Sequence, residues 1–581
     1  METLQNLVSV KKILITAMVG FCLLNSARPT LASLPPLPDE NVFSDADGWS
    51  DFQELMFGSD PQVADTDGDG ISDNADRDPL TDIQVEFIQS APPELDHANI
   101  RNAADVWPQL FENAKNSIYL ETYYIANSIP DEIIDNIKNV ASRGVDVKII
   151  LDDRMYSRNR TKPDELNSHE NIEVRTLPVK TMSGGWLHAK YFIIDNEIAY
   201  IGSQNWSWTA LNDSLEAGVL VRSRALCGAL LSIFEVDWIK SGGSPLRSTE
   251  NDDNDNDGWP DNYESWLGTE PLRADTDNDG AIDSRDPNPL VPLQTVVQGS
   301  KVKWLRLAET PPIPELDNPY IQNTENALCE LIKSATKTIR AMLYQYTTSG
   351  NYTALDNALR EAAARGVSVE VLVSDKYFER WKHSREDLLN LAAVRNITVK
   401  IIDIEEIGLS GTSGWLHSKT LFVDYERAYV GSANWFAPHM GHKVTLGSWQ
   451  AGPTRDVGLV FESSEVVGDL AEIFTRAWTS DYARPILVEK FNWMLVAGAV
   501  SAVIVLLAAV ILVRRFKGRG RWYLYQDGKR HGPVSTTLLQ RWIEERRVKE
   551  GALVWRKGMK GWQNIFETEP FKRQNNQRSN I

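Results

Sequence analysis

The residues His188-x-Lys190-x4-Asp195-x6-Gly202-Ser203-x-Asn205 recur as His417-x-Lys419-x4-Asp424-x6-Gly431-Ser432-x-Asn434, at identical spacing. Two imidazoles and two ammonium groups delivered by equivalent elements suit attack on a phosphodiester and neutralisation of its charge. Each histidine sits just before or within an apolar run, KYFIID or KTLFVD, where residues i and i+2 of a strand point to one face. The runs AYIGSQN and AYVGSAN then read as strands entering glycine-containing turns. Trp206, Trp208 and Trp435 directly follow the two asparagines. They could stack the bases of an unpaired strand, insert into lipid, or pack beneath the floor of a site.

Helical and β-rich runs alternate around both copies. In the first, a helical pattern over 103–114 leads to an apolar strand at 117–125, a helix through 133–141 and a strand over 144–151. The second repeats that order with NALCELIKSA, TIRAMLYQY, ALDNALREAAARG and VSVEVLVSD. Such alternation predicts two α/β layered halves, over 90–241 and 300–483.

An acidic stretch precedes each half. DADGWSDFQELMFGSDPQVADTDGDGISDNADRDP begins at residue 45 and recurs as DNDGWPDNYESWLGTEPLRADTDNDGAIDSRDP from residue 255. Asp65-x-Asp67-x-Asp69-Gly70 and Asp275-x-Asp277-x-Asp279-Gly280 place carboxylates on alternate residues before a glycine, which suits Ca²⁺ with its demand for several oxygens around a tight turn. Asp73 and Asp283 can close these loops. The preceding loops offer Asp45, Asp47, Asp51 and Glu54, then Asp253, Asp255, Asp257, Asp261 and Glu264. Modules over 41–80 and 251–288 are therefore expected to bind structural Ca²⁺, with folding coupled to the metal.

The chain has 581 residues, 42 % of them hydrophobic, and a formal charge of -20. By length alone that suggests about three to five folding units. Much of the acid lies in the two modules, so net charge says little about the potential over the catalytic residues. Three cysteines offer no disulfide framework. Residues 13–24 are apolar, follow Lys11 and Lys12, and precede small residues ending at Ala32, which reads as a signal peptide over 1–32. Residues 494–513 carry no charge and precede Arg514, Arg515, Lys517, Arg519 and Arg521. That pattern predicts a transmembrane helix with its C-terminal end inside, hence a single-pass cell-membrane protein whose catalytic region is extracytoplasmic. A polar, disordered tail is expected over 572–581.

Each signature resembles that of the phospholipase D superfamily, H-x-K-x4-D-x6-G-S/T-x-N, and both copies are complete. The resemblance implies two homologous halves packed face to face around one cleft. It implies that His188 attacks phosphorus to form a phosphohistidine and that His417 protonates the leaving oxygen, then activates water; the reverse division is the alternative. By the same resemblance Lys190, Lys419, Asn205 and Asn434 contact non-bridging oxygens without a catalytic metal. Ser203 and Ser432 support them, Glu216 and Asp456 orient the histidines, and Asp195 and Asp424 anchor turns. The phrases LHAKYFIID, GSQNWSWTALND, YVGSANWFAP and RAWTSDYARP are most similar to the membrane-anchored endolysosomal branch, which includes 5′ exonucleases of single-stranded nucleic acid. A phospholipase D or phosphatidyltransferase acting on phospholipid is the enzymatic alternative, and a calcium-dependent surface protein with inert halves the non-enzymatic one. The acidic modules resemble thrombospondin type 3 repeats. Residues 521–567 resemble the GYF-like domain through Trp522, Tyr523, Gly532, Pro533, Trp555, Gly558, Met559 and Trp562, which implies a cytoplasmic peptide partner.

Overall fold

The computed structural model describes residues 42–572 apart from 77, 81–82, 245, 247–252, 262–263, 265–268, 287, 293–301, 351, 406, 408–413 and 487–520. The chain divides into two units, residues 1–64 and 65–581.

In the smaller unit, a helix Asp51–Phe57 is fixed at its start by a reciprocal Ser50–Gln53 capping box. Gly58, in the left-handed region, ends it.

The larger unit is built on two mixed sheets. Seven strands run in the order Gln84–Ser90, Glu216–Arg222, Ile198–Gly202, Lys190–Ile194, Ser117–Thr122, Asp146–Asp152 and Ile172–Leu177. The last three are parallel and joined by crossover helices such as Asp131–Ser142, while the others pair antiparallel. The nine-stranded sheet repeats this core. Trp304–Thr310, Asp456–Glu462, Arg427–Gly431, Lys419–Val423, Thr338–Leu343, Ser368–Ser374 and Ile397–Ile402 occupy the equivalent places, and Gln322–Asn323 and Ala483–Pro485 extend the edges.

Alternation along the strands decides what the sheets bury. One face of the first sheet packs on helices Ala103–Glu112 and Asp131–Ser142, and the matching face of the second on Thr324–Ser334 and Ala354–Ala364. The opposite faces share one central core with the two longest helices, Arg224–Lys240 and Ser464–Thr479. That shared core makes the halves one body, because separating them would expose apolar surface from both sheets.

The joint is also polar. Trp186 and His188 exchange backbone hydrogen bonds with Arg455, and Leu215 exchanges them with Trp415 and His417, so a short piece of each half pairs with the other. Gly185 and Gly414 allow this approach: a Cβ would lie 1.9 Å from the Pro453 carbonyl oxygen and 2.0 Å from that of Asp213, respectively. Beneath it Arg455, fully buried, binds Asp237 at 2.6 Å in one half and Glu309 at 2.5 Å in the other. Removing one member of such a network leaves a buried charge uncompensated, at a cost of about 3–5 kcal/mol.

Residues 522–571 form a separate small core. Strands Trp522–Gln526, Lys529–Val534, Leu553–Arg556 and Gln563–Asn564 pack with helix Thr536–Glu544 around Trp522, Leu539, Val554, Ile565 and Phe571.

The membrane assignment is corrected. Among the described residues no helix is long and apolar enough to cross a bilayer. The longest, Arg224–Lys240, has 17 residues, includes Arg224, Glu235, Asp237 and Lys240, and belongs to the central core. A span requires about 20 consecutive apolar residues in a helix. The structure gives no support to the transmembrane element of the fold class, nor to the membrane as partner or the single-pass location that depended on it. Residues 494–513, like the signal-peptide segment 1–32, lie outside the described residues. The same holds for 573–581 of the expected tail.

Candidate active site

The two signatures are brought together at the joint, and the carboxylates that serve the histidines cross between halves. His188 ends the segment that pairs with Arg455, and its Nδ1 lies 2.9 Å from Asp456 Oδ1 of the second half. Reciprocally, His417 Nδ1 lies 2.9 Å from both oxygens of Glu216 in the first half. With Nδ1 committed to a carboxylate, each imidazole is left with Nε2 for chemistry.

The two pairs are unequal. Glu216 gives both oxygens to His417. Asp456 is shared: Oδ1 also accepts from the Ser432 hydroxyl at 2.7 Å, while Oδ2 contacts His439 Nδ1 at 2.8 Å and accepts from the Thr454 hydroxyl. His439 and His188 hold the Asp456 carboxyl well below its usual range in spite of burial. His439 is 6 % exposed, lies edge-on to His188 with centroids 4.8 Å apart, and places Nε2 3.2 Å from the Asn434 carboxamide nitrogen. Nδ1–H toward Asp456 and an Nε2 lone pair toward Asn434 would fix that carboxamide's orientation. The first half carries Ala210 at the equivalent position.

Lys190 and Lys419 begin their strands and rest against the backbone carbonyls of His188 and His417. Burial lowers Lys190 to about 7 and holds Lys419 well below the usual lysine range. It also lowers His417 to about 4 and, with Lys190 beside it, His188 well below an ordinary imidazole. A cleft crowded with bases held toward neutrality gains protons when an anion enters. Sulfate, whose own charge is constant over this range, should bind with proton uptake, and its affinity should fall about tenfold per pH unit above pH 7 as Lys190 loses its proton. Calorimetric titration in buffers of different ionisation enthalpy measures this; affinity independent of pH from 6 to 9 would refute it.

The remaining signature residues divide by place. Ser203 bridges to the Ala217 backbone, accepting its N–H at 3.1 Å. Asp195 and Asp424 lie at hairpin turns with positive φ and accept the backbone N–H groups of 115–117 and 336–338. Asn205 is half-buried. Trp206 and Trp435 are both 1 % exposed core residues, Trp206 packing on Trp107 and Phe111, whereas Trp208 is 40 % exposed. The crossing of the carboxylates and the shared use of Asp456 by His439 and Thr454 were not read from the sequence. One signal pointed to His439: the second half inserts a longer loop there, with histidine where the first half has alanine.

The acidic segments form four loops of one design. Ser44, Thr66, Asn254 and Thr276 each donate a backbone N–H and a side-chain group to the aspartate seven residues later, Asp51, Asp73, Asp261 and Asp283. Those four aspartates thus tie the loops shut. The alternating carboxylates converge instead: Asp45, Asp47 and Glu54; Asp65, Asp67 and Asp69; Asp253, Asp255 and Asp257; and Asp275, Asp277 and Asp279 each bring ligand atoms within 4.8 Å of one another. Glu264 is fully buried with neither oxygen hydrogen-bonded among the described residues, and burial beside Asp255 and Asp257 pushes it up to about 8. Asp277, with one oxygen in the same condition, is pushed to about 9 by burial and by Asp279. A carboxylate set crowded and short of donors fits a hard cation. The second module braces the first half through Arg285, which pairs with Glu235 of helix Arg224–Lys240, and meets the first module through Asn288, whose carboxamide donates to the Asp73 and Asp76 carbonyls.

Comparison with known proteins agrees with this geometry. Residues 108–238 and 328–478 match the family described as cardiolipin synthase, PLD-like domain, and 522–569 match GYF domain 2. The mouse protein named 5'-3' exonuclease PLD4 is 24 % identical over 435 residues, covering 69 % of this chain and 79 % of that one. The Xenopus laevis 5'-3' exonuclease PLD3 is 25 % identical over 415 residues, 65 % and 75 % respectively. Phospholipase D Y of Dictyostelium discoideum is 25 % identical over 434 residues, 69 % and 92 %. The two halves are phospholipase D-superfamily domains, and the C-terminal domain is a GYF domain. Both of these matches lie outside the acidic loops, and they give the thrombospondin type 3 resemblance no support.

Proposed function

We propose that this chain, which carries a phospholipase D-superfamily phosphodiesterase unit in two halves, is a nuclease acting on single-stranded nucleic acid. The observation that carries the chemistry is the pair of crossed histidine–carboxylate bonds, His188–Asp456 and His417–Glu216, with a lysine beside each imidazole. His188 Nε2 attacks phosphorus, and the P–O bond to the leaving group breaks as His417 passes its proton to that oxygen. Water then attacks the phosphohistidine, its proton goes to His417, and the P–N bond breaks. Lys190, Lys419 and the carboxamides of Asn205 and Asn434 stabilise the charge on the non-bridging oxygens.

Support for nucleic acid as substrate comes from the exonuclease relatives, PLD3 and PLD4. Phospholipid is the second reading, favoured by Phospholipase D Y, most of whose length this chain matches. The two are separated by giving the purified chain 5′-labelled single-stranded DNA and, in parallel, phosphatidylcholine and phosphatidylglycerol vesicles. Stepwise shortening of the DNA with at most trace lipid hydrolysis is expected. Rapid lipid hydrolysis with intact DNA would refute the nuclease reading.

Ca²⁺ is proposed as the structural ion of the acidic loops, held by the alternating aspartates with Glu54 and Glu264. The GYF domain exposes Tyr525 and Trp562, ring centroids 5.8 Å apart, beside Tyr523 and Trp555, a surface suited to a peptide partner.

A further inference from the structure

Each catalytic histidine has a tyrosine against its ring, Tyr123 on His188 at 5.4 Å and Tyr344 on His417 at 4.6 Å. Tyr123 meets half-buried Tyr124 at 5.5 Å, and among the described residues it is the second half that carries the aromatic contact on to an exposed ring. Tyr344 meets the Tyr377 ring edge-on at 4.7 Å, and Tyr377 stacks with Trp381 at 6.1 Å and an interplanar angle of 23°. Exposure rises along this series, from His417 at 6 % through half-buried Tyr344 and Tyr377 to Trp381 at 50 %. Three rings therefore descend from solvent to the catalytic imidazole.

The ladder is an addition to the duplicated fold. Tyr377 lies on helix Asp375–Arg380, and Trp381 follows it. The equivalent helix Asp153–Arg158 also comes directly after its strand, and places Met155 and Asn159 at those two positions. Folding alone does not account for a half-exposed indole, since its outer face buries nothing. Cations lie next to Trp381 in the chain: Arg380 and Lys382 are exposed, Lys382 3.7 Å from Glu386, whereas buried Lys376 sits over Trp415 and pairs with Glu405. Flat apolar faces in series beside positive charge are what successive bases and phosphates of an unpaired strand require. In a duplex the base faces are already occupied by stacking on neighbouring pairs, and a lipid headgroup has no aromatic ring to stack.

Resting on the nuclease reading, we propose that Tyr344, Tyr377 and Trp381 form a stacking subsite for unpaired nucleobases on the His417 side of the scissile phosphate, with no equivalent on the His188 side. The subsite selects single strands and gives the bound strand a direction.

The experiment uses the full chain and single-stranded oligodeoxynucleotides carrying an abasic residue on one flank of the scissile phosphate or the other. In the unaltered protein, loss of the base on one flank raises KM about tenfold, as expected for one base stacked on an aromatic ring, and loss on the other flank changes it less than twofold. Trp381→Ala and Tyr377→Leu abolish the discrimination, bringing abasic and base-bearing substrates within about twofold. Indifference to bases on both flanks, or discrimination that survives both substitutions, overturns the subsite while leaving the nuclease intact. Failure to cut any oligonucleotide while vesicles are hydrolysed overturns the nuclease reading, and the subsite with it.

Discussion

Alanine at His188 or at His417 lowers steady-state phosphodiester turnover by about four orders of magnitude or more, and the two variants stall at different steps. The assignment of steps follows from the unequal carboxylates. Glu216 serves His417 alone with both oxygens, so its charge is fully available to an imidazolium. Asp456 divides its charge among His188, His439, Ser432 and Thr454, and since lysines oppose a proton on both imidazoles the carboxylates make the difference. His188 is thus the better neutral nucleophile and His417 the better proton donor. With bis(p-nitrophenyl) phosphate the leaving group needs no proton. His417→Ala should then release about one equivalent of nitrophenolate per active site and halt as the His188 phosphoenzyme, because no base activates water. His188→Ala should give no burst. Rapid-quench measurement at alkaline pH, where phosphohistidine survives, reads both. A burst in His188→Ala only would exchange the roles, and turnover surviving both substitutions would remove the pair from the mechanism.

That the site is read unequally from the sequence has a physical origin. The signature His-x-Lys is legible because a strand start imposes its spacing, and the structure indeed begins strands at Lys190 and Lys419. Alternation of helix and strand is legible for the same reason: periodicity places 103–114 as a helix, and the element found is Ala103–Glu112. What local spacing does not encode is which half a side chain serves. Glu216 follows Asn205 by 11 residues yet bonds His417, because the segments at Leu215 and Arg455 pair across the joint. The contact between Arg455 and the carboxylates of Asp237 and Glu309 likewise joins residues more than a hundred positions apart. Trp206 and Trp435 illustrate the converse: beside a catalytic asparagine they invite a binding role, and their burial assigns them to packing. The stretch 494–513 was read from composition alone, with no tertiary context to weigh against it.

Chelation with EDTA should lower the midpoint of thermal unfolding by about 10 °C or more, and readdition of Ca²⁺ but not Mg²⁺ should restore it. The magnitude follows from occupancy: each site at a hundredfold excess of Ca²⁺ over Kd contributes about 2.7 kcal/mol, and four loops of one design are present. Without the ion, Glu264 must hold a proton or bear an unpaired buried charge, and Asp277 is in the same position. Both have pKa values raised above the unfolded chain's, so the metal-free fold binds more protons than the unfolded chain. Its stability accordingly falls as pH rises from about 4 to about 9, and the loss on chelation should be larger at pH 8 than at pH 5.5. Ca²⁺ displaces those protons, which makes binding proton-releasing near neutrality. Glu264→Gln, which keeps the shape and removes the charge, should shrink the Ca²⁺-dependent shift. Below both transitions turnover should persist in chelator, because none of the loop carboxylates bonds a catalytic histidine or lysine. An immediate, reversible loss of turnover on the intact fold would place calcium in the chemistry instead, and a midpoint unmoved by EDTA at pH 8 would remove it from the protein.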